Sequence, residues 1–123
     1  MATRAVYTFS GFPGLPECHY YLHHDGYPTG AALRFSAALR HSCETTSFLT
    51  SFLNTQQQAE PLASQEQAAD AEYRYLVQLL PGTDPRLQVQ CWRRLPEVSC
   101  WRSRCGPIAL VAFIQRFIPC DQP

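Results

Sequence analysis

The chain has 123 residues, 46% hydrophobic and 12% aromatic, which suits one domain (1-123) built around one core. Ten acidic residues balance ten basic ones, so neither the bulk positive charge of many nucleic-acid binders nor the bulk negative charge of a DNA mimic is present. Charged residues make up only 16%, against roughly 25% in ordinary domains, and Gln, Ser and Thr must supply much of the polar surface.

The opening MATRAVYTF lacks the apolar run of a signal peptide, and no stretch reaches the roughly 18–20 apolar residues of a membrane span. The expected location is cytoplasmic, with no membrane partner. There the six cysteines stay reduced and act as small buried or half-buried side chains. Arg4–Ser10 reads as a first strand with Ala5, Tyr7 and Phe9 on one face. The glycines and prolines of residues 11–16 form a loop that returns the chain as a hairpin.

In the next strand Cys18, Tyr20, Leu22 and His24 share the more apolar face, and His19, Tyr21 and His23 the other. Asp25-Gly26 predicts a tight turn, and Pro28 pushes Tyr27 toward an extended conformation. Thr29 is placed to cap a helix whose Ala31, Ala32, Phe35, Ala38 and Leu39 recur at helical spacing, ending near His41. Phe48, Leu49, Phe52 and Leu53 predict a second helix with an apolar core stripe, capped by Thr46 or Ser47.

Residues 54-71 are a polar, Gln-rich connection, with Glu66 and Asp70 on an acidic edge and a helical segment expected to start at Pro61. Glu72–Leu80 alternates as a strand with Tyr73, Tyr75, Val77 and Leu79 on one side. A Pro-Gly turn leads to the returning strand Arg86–Leu95, with Leu87, Val89 and Cys91 on one side and Gln88, Gln90 and Trp92 on the other, and Val98–Ser103 is expected as the third strand of this meander. Gly106-Pro107 is expected to open a last helix so apolar that it should pack on more than one side. The expected fold is α+β, an antiparallel sheet of about five strands in ββαα-βββ-α order with helices on one face.

The stretch YTF followed by HYYLHHDGYPTGA resembles a family of small proteins carried by bacteria, phages and prophages, with the pattern H-D-G-Y-P-x-G-A. The resemblance extends over Val6–Phe9, His19–Leu39, Glu72–Trp92 and Pro107–Phe117. It implies no catalytic residues and no cofactor. By association it implies an anti-CRISPR-type inhibitor from a mobile genetic element, acting in the bacterial host cell on a subunit of a CRISPR-Cas effector complex.

The residues themselves carry no assembled reactive centre. His23 and His24 point to opposite sides of a strand, and His19 and His23 stand roughly 13 Å apart, so a shared metal ion is not expected. Cys100 and Cys105 lack zinc-ribbon spacing, although Cys91, Cys100 and Cys105 could meet across the hairpin. Cys18 beside His19 and Cys43 near His41 lie in no nucleophile motif. Aromatic and arginine residues crowd the hairpin instead, as Trp92, Arg93, Arg94, Trp101, Arg102 and Arg104.

The candidate binding set is therefore Tyr21, Asp25, Tyr27, Glu66, Asp70, Trp92, Arg94, Trp101 and Arg102. The leading expectation is a non-enzymatic binding protein. The alternatives are a small metal- or Cys/His-dependent enzyme using His23, Asp25 and a cysteine, and a nucleic-acid-binding accessory protein using the hairpin arginines. A homodimer through an open sheet edge is compatible with all three.

Overall fold

A computed structural model describes residues 3–95 and 100–118. The alternation of large apolar and polar residues builds the strands β1 (Ala5–Ser10), β2 (Cys18–Leu22), β3 (Glu60–Leu62), β4 (Tyr73–Leu80), β5 (Arg86–Leu95) and β6 (Cys100–Ala109). The helices are α1 (Pro28–Arg40), α2 (Phe48–Thr55) and α3 (Leu110–Phe117). The architecture is α+β, with one sheet in the order β3-β2-β1-β4-β5-β6. The sheet has six strands rather than about five, and it is mixed: β1 and β4 run parallel while every other pair is antiparallel.

The polar connection accounts for both corrections. Its residues Glu60–Leu62 pair with the free edge of β2, so Pro61 sits in an edge strand rather than starting a helix. The chain must then pass β2 and β1 to reach its next place in the sheet. It does so as a strap, residues 63–72, with one short 3-10 turn at Gln65–Gln67. Ala68 and Ala71 of the strap lie buried against Val6, on the sheet face opposite the helices. A crossover of this kind delivers β4 parallel to β1.

On the helix face, Tyr7, Phe9, Phe35, Phe48, Phe52, Tyr75 and Phe113 are almost fully buried and touch ring to ring. Each such side chain contributes about 1.5–3 kcal/mol by leaving water. The inward positions expected for β1, β2, β4 and β5 are the ones found, except that His24 is exposed.

The turn into α1 is a knot of backbone contacts. Asp25 adopts φ 54°, and the Tyr75 hydroxyl donates to the Gly26 carbonyl at 2.5 Å. Arg34 donates to the carbonyls of Asp25 and His24 at 2.9 and 2.8 Å. A Cβ on Gly30 would collide with the Asp25 carbonyl, so only glycine allows this approach. Tyr27, not Thr29, is the N-cap, and Pro28 fills the first helical position without any side-chain cap.

The last helix also differs from expectation. β6 continues through Pro107 to Ala109, with Ile108 opposite Val89. Gly106, at φ 91°, is needed because a Cβ there would strike the Val89 carbonyl. With the ladder extended, the helix starts three residues later and Ile108 belongs to the sheet. The helix α3 buries Leu110 and Phe113 but leaves Val111 54% exposed, so it packs by one side only. No helix among the described residues is long and apolar enough to cross a membrane.

Candidate functional site

Strand alternation sends Val6, Thr8, Arg74, Leu76, Trp92 and Arg94 to the face that the helices do not cover. The strap seals one end of this face over Val6. Beyond it a cavity of about 240 Å³ remains, lined by Thr8, Glu17, Gln65, Arg74, Trp92 and Trp101. Trp92 stands opposite Arg74 in the β4–β5 ladder, and Trp101 stands opposite Arg94 in the next. The Arg74 guanidinium carbon lies 4.1 Å from the centroid of the Trp101 ring. Its Nε is buried and has no hydrogen-bond partner.

Burial lowers the Arg74 pKa, the Glu66 carboxylate opposes that shift, and Arg94 adds to it. The group nonetheless stays charged at neutral pH, because a guanidinium starts so far above it. The site is thus a positive fork over one indole and beside a second, with its Nε–H unused. Such a fork recognises a planar anion or a carbonyl, and the indole faces hold an apolar stem.

The expected binding residues divide into three groups. Trp92 and Trp101 line the cavity itself, and Glu66 lies in the strap turn, where its charge acts on Arg74. Arg94 holds the strap: its guanidinium donates to the Ala69 carbonyl and its backbone N–H to the Glu72 carbonyl at 2.9 Å. Asp70 pairs with Arg4 at 3.0 Å, and Arg4 also donates to His23 Nδ1, which lies 2.9 Å from the Tyr21 hydroxyl. Burial raises the Tyr21 pKa, and nearby Asp70 adds to it. These residues share one face.

Arg102 and the Asp25–Tyr27 turn do not join them. Arg102 pairs with Arg93 on the helix side of the sheet, where Arg93, Arg102 and Arg104 border a groove of about 370 Å³. The pleat of the sheet separates the hairpin arginines into two sets, which sequence proximity had grouped together. Asp25 and Tyr27 border another hollow, of about 420 Å³, with Thr29, Leu33, Arg34 and Gln56.

Arg74 is the functional candidate that sequence reading missed. Its place between Tyr73 and Tyr75 marks it as outward-facing. Its burial follows only from the strap and Trp101, which no local pattern announces.

Of the described thiols, Cys18, Cys91 and Cys105 are buried or half-buried as expected, whereas Cys43 and Cys100 are exposed on a loop and a strand start. Cys91 and Cys105 face each other across β5 and β6, both buried, and Cys100 is exposed at the start of β6. Burial pushes the Cys91 thiol up to about 12, far from a reactive thiolate. His19 Nδ1 lies 2.8 Å from the Thr8 hydroxyl. Among the described residues, no three His, Cys, Asp or Glu side chains converge as a metal site would require.

No protein-family model, curated protein or solved structure matches the chain.

Proposed function

We propose that this chain is a non-enzymatic binding protein that engages a partner protein through the sheet face opposite its helices. The observation that carries this reading is the half-open pocket in which Arg74 lies against Trp101 beside Trp92. Tryptophan and arginine are the residues that most often dominate protein interfaces, and they do so from partly enclosed, dewetted positions. The partner class comes from the resemblance of HHDGYPTGA to mobile-element proteins: a subunit of a bacterial CRISPR-Cas effector complex, inhibited by occupation of its surface. The test uses purified effector complexes and the purified protein. The expected result is stoichiometric binding that suppresses target cleavage, weakened about 30-fold or more by Trp101→Ala, as loss of about 2 kcal/mol at a hot spot implies. Effectors that neither bind the protein nor lose activity would overturn the partner assignment.

The groove of Arg93, Arg102 and Arg104 favours a second reading, a nucleic-acid-binding accessory protein. That reading requires duplex or single-strand binding that falls steeply with salt. Absence of any mobility shift at low salt removes it.

A further inference from the structure

We propose that the cavity beside the strap is a carboxylate-binding site, made for an acidic group carried on a flat or aliphatic stem. The inference deepens the binding-face reading and rests on it. Arg74 is half-buried, but its Nε–H is shut away from water with no acceptor, which is costly, and a ligand that accepts from this guanidinium lowers that cost. Trp101 covers the ring-facing side of Arg74, so what remains for a ligand is the edge of the fork. The edge matches the two oxygens of a carboxylate. Trp92 and Trp101 then supply walls for the stem, and the Thr8 and Gln65 side chains also line the cavity.

The charge around the cavity selects a monoanion. Among the described residues Arg74 is the one cation that lines the cavity, Glu17 lines the same space, and the Glu66 charge acts on Arg74 from the strap. A phosphate dianion would meet two carboxylates and one guanidinium. A carboxylate balances the fork with half that charge. Two sources bear such a group, a glutamate side chain of the partner protein and a free aryl carboxylate, and the chemistry they share is what the site reads.

The chain has only two tryptophans, and both line the cavity, so their indole N–H signals and the Arg74 Nε–H signal report on it directly. The full chain, labelled with ¹⁵N, is titrated with benzoate, with N-acetyl-glutamate N-methylamide, with the glutamine counterpart of the latter, and with inorganic phosphate. The expected result is a saturable shift of these three signals with one or both carboxylates, at least tenfold weaker or absent with the amide and with phosphate. Saturation by the glutamate compound assigns the site to a partner's side chain, and saturation by benzoate alone assigns it to a small molecule. Arg74→Lys, which keeps the charge but loses the fork, weakens the carboxylate response at least tenfold, while Arg86→Gln on the far hairpin leaves it unchanged. No saturable shift, an equal response to amide or phosphate, or an unchanged response in folded Arg74→Lys overturns the proposal. Where the glutamate compound saturates the site, an effector that still binds with full affinity to Arg74→Lys sinks the assignment to a partner's side chain alone. Carboxylate shifts without any effector binding sink the partner assignment alone.

Discussion

The two faces of the sheet are closed by different means. On one, the helices lay phenylalanine rings against Tyr7 and Tyr75, and the polar tips of those tyrosines are buried with them. On the other, a strap with two small buried alanines covers Val6 and stops, leaving Trp92, Trp101 and Arg74 to finish the surface. The contrast separates stability from recognition. Rings packed on all sides have no contact left to offer a partner, whereas half-covered indoles and an unsatisfied guanidinium gain by meeting one.

The largest effect expected from breaking this contrast lies in the ring cluster. Phe35 touches Tyr7, Phe48, Phe52, Tyr75 and Phe113, and Phe35→Ala should cost about 3–5 kcal/mol in urea unfolding. That is a large share of what a domain of this size has to lose.

Next comes the strap. Its Ala71 is fully buried against the sheet, and Ala71→Leu should overpack the junction, with a loss of about 1–3 kcal/mol. The same variant should shift the Trp92 and Trp101 indole signals, because the strap borders their cavity. An overpacked strap that leaves both signals in place would uncouple the two regions.

The paired tyrosines sharpen the helix face. Tyr75→Phe strands the Gly26 carbonyl and should cost about 1–2 kcal/mol. The Tyr7 hydroxyl is buried without a hydrogen-bond partner, so Tyr7→Phe should change stability by less than about 1 kcal/mol.

The same tyrosine sets a pH response. Burial pushes the Tyr7 pKa up to about 12, the Arg34 guanidinium opposing the shift. Between pH 10 and 12 the unfolded chain has released this proton and the folded one still holds it, so stability falls as pH rises across that window. Burial raises the Tyr75 pKa as well, in the same sense. Urea midpoints measured upward from pH 9 should decline beyond pH 10, less steeply in Tyr7→Phe; equal slopes would show that Tyr7 is not the group titrating. The smallest effect is expected at the surface pair Arg4–Asp70, where Asp70→Asn should cost under about 1 kcal/mol, with less effect at high salt.

The hairpin illustrates how far residue order carried the functional reading. Trp92, Arg93, Arg94, Trp101, Arg102 and Arg104 are neighbours along the chain, and they suggest one surface. The pleat divides them: Arg94 and the tryptophans on one side, Arg93 and Arg102 on the other. The motif HHDGYPTG shows the converse. Its composition invites a ligand, yet much of it is occupied in closing the turn, through Gly26, Gly30 and the carbonyls that Arg34 binds.

What the residues determined alone was local. Alternation gave the inward set of β1, β2, β4 and β5, and helical spacing gave α1 and α2, because both patterns repeat within a few residues. The parallel pairing of β1 with β4, the strap, the sixth strand and the burial of Arg74 join positions tens of residues apart. Such contacts arise only when the polar connection has found the edge of β2 and must recross the sheet. No short window of sequence holds the two surfaces whose meeting defines them.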